Sequence, residues 1–162
     1  MSVKIKNRHR LKSKEIRNIL NELQQIFHDD FFGKKSSIET GSIEGIDVIL
    51  VDDEVDFIIN DERIFFTIRG LNKYNPKEHR VVVDMGAIKF ITNGADVMTA
   101  GIVDADPNIQ EDDQVWICDE THHKPLAVGI ALISGEEMVS QKEGKAIKNI
   151  HYIGDRLWTL TG

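Results

Sequence analysis

The sequence predicts an α+β protein in two parts, one helix laid on an antiparallel sheet and then a small barrel or pseudobarrel of short strands. Three observations predict it. The apolar period is helical over residues 13–28 and changes to two, or to short apolar runs, from Ser37. The segment Asn72–Arg80, NKYNPKEHR, is polar and contains Pro76, which marks a boundary. Beyond it a second series of short apolar runs surrounds one brief helical pattern.

The first element is an amphipathic helix over 13–28. Ile16, Ile19, Leu20, Leu23, Ile26 and Phe27 recur at spacings of three and four, with Ser13 as the expected N-cap. Asp29, Asp30 and Gly33 break the pattern. Four short strands follow, at Ser37–Glu44, Asp47–Val51, Val55–Asn60 and Arg63–Arg69. Gly45, Asp52-Asp53 and Asn60-Asp61 are turn signals, and turns this short imply antiparallel neighbours. The second part opens with a strand at Arg80–Val83 and a short helix at Gly86–Asn93, which Gly94 terminates. Strands are expected at Val97–Val103, Gln114–Asp119, Leu126–Ile133, Ile150–Ile153 and Arg156–Leu160. The domain boundaries expected from this pattern are 1–75 and 79–162.

Composition narrows the class. Of 162 residues 41% are apolar and 29% charged, which suits a globular protein that buries a core. No apolar run approaches the roughly 20 residues that cross a bilayer, and the N-terminus has no apolar signal core. Cys118, the single cysteine, builds no disulfide framework, so the expected compartment is the cytosol and no membrane partner is expected. The net charge of −7 is unevenly spread: residues 1–35 carry nine Lys/Arg against four Asp/Glu, and both later stretches are acidic. A nucleic acid needs a local positive surface and not a positive mean, and the basic leader Lys4–Arg17 can supply one. A solvated helix face with a frayed terminus explains the same charges.

Catalytic signatures are missing. No phosphate-binding loop or dinucleotide fingerprint is present, and the glycines of Gly41–Gly45 lead into no helix. His122 and His123 are adjacent in a polar turn, and no cysteine pair has zinc spacing, so no metal and no cofactor is expected. The acidic runs Asp52–Glu54 and Glu111–Asp113 sit between strands as solvated turns, and nothing sets two carboxylates apart for acid–base work. Cys118 lies in the apolar run VWIC and reads as a buried structural thiol. Trp116 and Phe90 read as core. No catalytic residue is expected.

Seven ordered segments carry a resemblance. They are Val83–Ala87, Asn93–Met98, Ala100–Val103, Asp113–Val115, Pro125–Gly129, Gly144–Ile147 and His151–Trp158. In this order they resemble the PUA domain, an RNA-binding fold of pseudouridine synthases and archaeosine transglycosylases. The run Gly144–Tyr152 further resembles stand-alone archaeal PUA proteins and the malignant T-cell-amplified-sequence family of translation re-initiation factors. That resemblance implies a pre-PUA domain, a helix on a curved antiparallel sheet, followed by a PUA pseudobarrel. It implies non-catalytic binding of structured RNA, tRNA or small-subunit rRNA, with a translation-factor protein as a possible partner of the N-terminal domain. Two other roles stay open: recognition subunit of an RNA-modification enzyme, and adaptor whose PUA face has lost RNA.

The resemblance also implies a site. The face would include Lys89, Thr92, Asn93, Gly94, Ala95, Met98, Ala100 and Gly101, joined by Lys145, Lys148, His151 and Arg156 from the C-terminal segment. Glycine turns let a phosphate approach backbone amides, and short polar groups suit RNA read by shape, phosphates and 2′-hydroxyls. Met98 reads equally as core or surface. His151 reads equally as a buried, hydrogen-bonded residue or as a contact.

Overall fold

A helical repeat can bury one face only against something flat, and residues 38–66 supply it. The structure, a computed structural model, describes residues 4–33 and 35–161, so the outermost ends of the two expected domains lie outside the described residues. Strands β2 (Ile38–Ile43), β3 (Ile46–Val51), β4 (Glu54–Asn60) and β5 (Arg63–Phe66) form the sheet, and helix α1 (Ser13–Phe27) packs against β5. All neighbours are antiparallel. Leu23 and Phe27 are the buried residues of α1, and Phe27 meets Phe66 of β5 edge to face at 5.0 Å. Burying such a side chain contributes about 1.5–3 kcal/mol. His28 ends α1 in a left-handed conformation, its N–H donating to Gln24 O.

Three local expectations are corrected here. Ser13 is not the cap: Lys12 occupies that position, and the Glu15 carboxylate accepts its N–H at 3.2 Å. The basic leader forms a fifth strand, β1 (Lys6–Arg10), at the sheet edge beside β2. All five of its residues are exposed, so no apolar alternation announces it; backbone pairing and the Arg8 clamp on Glu39 place it. The expected strand Arg63–Arg69 stops at Phe66. Thr67 then caps a helix, α2 (Ile68–Tyr74), by accepting the Gly70 N–H at 3.0 Å. Asn75 closes α2 in the left-handed region, just before Pro76.

The described chain divides into two compact units, one running to Pro76 and including Leu160 and Thr161, the other Lys77–Thr159. The second unit begins with β6 (Arg80–Val83). A 3₁₀ turn, Met85–Ala87, runs into α3 (Ile88–Ile91). Then come β7 (Val97–Met98), a 3₁₀ turn Thr99–Gly101, β8 (Ile102–Ala105), β9 (Gln114–Asp119), β10 (Pro125–Ala131), α4 (Gly135–Ser140), β11 (Lys145–Tyr152) and all but the last two residues of α5 (Arg156–Thr161). The six strands run β7-β11-β10-β9-β6-β8, with β6 and β9 parallel and the rest antiparallel. This sheet curls into a nearly closed pseudobarrel around Val81, Ile91, Val115, Ile117, Ala127 and Ile147. Trp116 and Cys118 belong to the buried set, and burial pushes the Cys118 thiol up to about 11.

Four expected strands change. The run Val97–Val103 is interrupted by the Thr99–Gly101 turn. The run Leu126–Ile133 ends at Ala131, and Ser134 opens α4 with a capping box, donating its N–H to Glu137 while its hydroxyl accepts the Glu137 N–H. Ile150–Ile153 is only the end of β11, which starts at Lys145. Arg156–Leu160 is helical because the Asp155 carboxylate accepts the Trp158 N–H at 2.8 Å, as an N-cap does.

Candidate RNA-binding face

The site grows from the end of β6. Asp84 accepts the Ala87 N–H at 2.9 Å and so starts the turn that leads into α3. Its own N–H donates to Gly101 O at 2.9 Å, which fastens that turn to Thr99–Gly101. The two turns approach so closely that a Cβ at Gly101 would lie 3.1 Å from the Ala87 methyl. Four residues of helix have one inward face, and Ile91 takes it. Phe90 is left 59% exposed, which overturns its reading as core. The Lys89 ammonium lies 5.1 Å from the Phe90 ring centroid.

After α3 the chain must turn back. Thr92 spends its hydroxyl on Ile88 O. Gly94 takes φ +92°, and a Cβ there would meet the Tyr152 hydroxyl at 2.8 Å, so glycine is required twice over. A residue absent from the sequence reading holds this loop. Asn149 of β11 donates from Nδ2 to Ile91 O and Ala95 O, and its backbone N–H donates to the Asp96 carboxylate. These partners lie more than 50 positions away in sequence, so no local pattern reveals them.

The result is a cleft of about 720 Å³. Its walls are Asp84, Gly86, Ala87, Phe90, Ile91, Ala95 to Met98, Ala100, Gly101 and Lys145. Five of the expected residues line it: Ala95, Met98, Ala100, Gly101 and Lys145. Met98 is 46% exposed, so of its two readings the structure gives the surface one. Lys145 pairs with Met98 across β11 and β7 and reaches the Asp96 carboxylate at 3.3 Å. Asp84, Phe90 and Asp96 are cleft residues that the sequence reading did not select.

The other expected residues lie outside the cleft lining. Lys89, Thr92, Asn93 and Gly94 form the outside of α3 and its turn, with Lys89 and Asn93 exposed. Lys145 and Lys148 are both exposed although three apart on a strand, because the register shift at Lys145–Ile147 buries Ala146 and Ile147 in succession. Arg156 is exposed at the start of α5. His151 is 2% exposed and its Nδ1 lies 2.7 Å from the Asp155 carboxylate, so it is the buried, hydrogen-bonded residue and offers no surface contact. Burial pushes the Asp155 carboxyl up, but His151 and the N–H groups of Trp158 and Tyr152 together hold it below the usual range. Among the described residues no His, Cys, Asp or Glu cluster could hold a metal ion, and no helix is long and apolar enough to cross a membrane.

The second unit matches the PUA domain over residues 79–153. Residues 7–74 match a domain described as a Domain of unknown function (DUF1947). The class is thus a PUA-domain protein with that module in front. Among its relatives is an uncharacterized protein of Methanocaldococcus jannaschii, 45% identical over 99% of this chain and 100% of its own length. Translation machinery-associated protein 20 of Eremothecium gossypii is 30% identical, covering 98% of this chain and 91% of itself. Malignant T-cell-amplified sequence 1 of Rattus norvegicus is 31% identical over 96% and 92%. A crystal structure of a hypothetical protein from Pyrococcus horikoshii superposes with a TM-score of 0.87 at 38% identity, over 96% of this chain and 99% of that one. The chain belongs to the family of these archaeal proteins and their malignant T-cell-amplified-sequence and translation machinery-associated relatives.

Proposed function

We propose that this chain is a non-catalytic RNA-binding protein of the translation apparatus, working in the cytoplasm on structured RNA, either tRNA or RNA of the small ribosomal subunit. The observation that carries the reading is the cleft beside α3 in a PUA domain, with Phe90 and Met98 exposed on its wall. An unpaired base can stack on the Phe90 ring, and the Asp84 and Asp96 carboxylates can accept from its exocyclic amine. The glycine turns at Gly94 and Gly101 let the backbone come close, while Lys89 and Lys148 meet phosphates outside the cleft. Residues 1–75 and 79–162 act as separate modules, the first offering a surface to a translation-factor protein.

The test measures affinity for a hairpin RNA with an unpaired end, using two folded variants. Phe90→Ala removes a stacking surface worth about 1–3 kcal/mol, a loss of about 5- to 150-fold. Lys89, Lys145 and Lys148 changed together to Glu should cost more than about tenfold, because several phosphate contacts reverse sign. Unchanged affinity in both variants would place the RNA elsewhere. One observation favours a second reading, a protein adaptor: the cleft holds two carboxylates against a single lysine that is already paired. A basic peptide that competes with RNA for this cleft would support the adaptor.

A further inference from the structure

The strongest concentration of uncommitted positive charge lies outside the PUA unit, at the corner where β1 passes into α1. Lys6 and Arg10 stand exposed on β1, and Lys12, Lys14 and Arg17 stand exposed on the cap and first turns of α1. Among the described residues, none of these five forms an ion pair. Arg8, in the same strand, behaves differently. It is clamped by both Glu39 oxygens at 2.8 Å and by Asp53, and its partnership holds the Glu39 carboxyl below the usual range. One arginine of the strand is therefore tied into the fold, while Lys6 and Arg10 form no ion pair among the described residues and Arg10 only adds to the field that holds Glu39 low.

Two bland explanations cover only part of this pattern. Cations on an edge strand discourage pairing with other chains, which accounts for Lys6 and Arg10. That reason ends with the strand. Lys12, Lys14 and Arg17 sit at the N-terminal end of a 15-residue helix, the positive end of its dipole, where basic side chains are unfavourable. Only Glu15 opposes them in the first turn. Solvation alone would be served as well by neutral polar residues. A local rule broken this way, in a chain of net charge −7, marks a surface kept for a ligand and not for the fold.

We infer that Lys6, Arg10, Lys12, Lys14 and Arg17 form a second RNA-binding surface, one that grips the phosphate backbone of a paired RNA stem without reading its sequence. Lys14 and Arg17 are three apart and share a helix face, and Lys6 and Arg10 extend the charge along the adjoining strand. The ammonium groups of Lys6, Lys12 and Lys14 act as point charges and the guanidinium groups of Arg10 and Arg17 can fork onto phosphate oxygens, a set that suits a phosphate backbone. The choice of RNA over another polyanion rests on the proposed function. The site itself rests on residues which that reading does not use.

The experiment compares the full chain with a variant in which all five residues are changed to Gln, on two probes. One probe is a blunt RNA duplex with no unpaired nucleotide. The other is the same duplex with a single-stranded end. The parent should bind the blunt duplex with a steep salt dependence. The variant should lose at least about tenfold in affinity, and its salt slope should shrink by about 0.7–0.9 for each phosphate contact removed. Removing cations from the positive end of α1 should leave its melting temperature no lower than the parent's, so lost binding cannot be ascribed to unfolding. A companion variant, Lys6→Arg, Lys12→Arg and Lys14→Arg, should bind the blunt duplex as the parent does. A parent that binds only the duplex with the single-stranded end would overturn this surface and leave the cleft standing. Loss of the cleft's contribution with blunt-duplex binding intact would do the reverse. Polyglutamate competing as well as the duplex would also overturn the assignment to RNA.

Discussion

Replacing Tyr74 by Phe should cost the fold about 2 kcal/mol, although only one oxygen is lost. Asp56 lies on β4 and is 0% exposed. Its Oδ2 accepts from the Tyr74 hydroxyl at 2.6 Å and from the Lys73 ammonium at 2.9 Å, both on α2, while its Oδ1 has no partner among the described residues. Burial pushes the Asp56 carboxyl above the usual range against the pull of Tyr74 and Lys73. The Tyr74 ring is held among Phe31, Phe57 and Phe66 at 5.6–6.1 Å, so Tyr74→Phe keeps the packing and removes only the hydrogen bond. A hydrogen bond to a charged group contributes about 1.5–3 kcal/mol, and here its loss leaves a buried carboxylate with one partner. Lys73 is a third exposed, so water replaces part of its contribution and Lys73→Met should cost about 1 kcal/mol.

Urea unfolding at pH 7 reads both values. With an m-value of about 2 kcal/mol/M, Tyr74→Phe should lower the midpoint by about 1 M without changing the slope. The double variant Asp56→Asn, Tyr74→Phe should fall short of additivity by about 1 kcal/mol. The pH dependence has a fixed sign. A carboxyl raised by the fold contributes stability that is present below its unfolded value, about 4, and is lost as pH rises through the native value. The parent should therefore gain on Asp56→Asn as pH falls from 7 toward 4. A midpoint moved by less than about 0.2 M, full additivity, or the opposite pH slope would refute this account.

Two further outcomes are expected. Asp155, held low by His151 and two backbone N–H groups despite burial, contributes stability that is present above about pH 4 and is lost as pH falls through its depressed native value; the advantage of the parent over Asp155→Asn in melting temperature should shrink below about pH 4, and an advantage that is constant down to pH 2 would exclude the role. Asn149→Ala should remove the two Nδ2 bonds to Ile91 O and Ala95 O while its backbone N–H still holds Asp96, costing about 1–3 kcal/mol and weakening binding of RNA with an unpaired end; unchanged amide exchange at Ala95 would show that the loop holds itself.

What the sequence disclosed follows from where each signal resides. The helix α1 announces itself by apolar residues at helical spacing, and strands β3 to β5 by short continuous apolar runs between turn signals. β1 has no such run, since Lys6 to Arg10 are all exposed and it is held by backbone pairing and by polar side-chain contacts of Arg8 and His9. α2 is short and polar outside, and it hides between a strand and Pro76; Thr67, three residues before Gly70, was its one local mark. α5 shows Leu157, Trp158 and Leu160 much as a strand would, and a single carboxylate, Asp155, decides for the helix.

The cleft divides along the same line. Its glycines could be found because a turn forces them locally, whereas the partners Asp96 and Asn149 come together only through the β7–β11–β10 order of the sheet. Phe90 misled because a run such as IKFI looks like core until one counts the faces that a four-residue helix possesses. With Ile91 turned inward, Phe90 and Lys89 have nowhere to go but the surface. An aromatic ring left in water beside an apolar cleft has lost most of the free energy that its burial would release. A base stacked on that ring would recover much of it, so in the proposed RNA contact Phe90→Ala should cost more than removal of any one of the lysines around it.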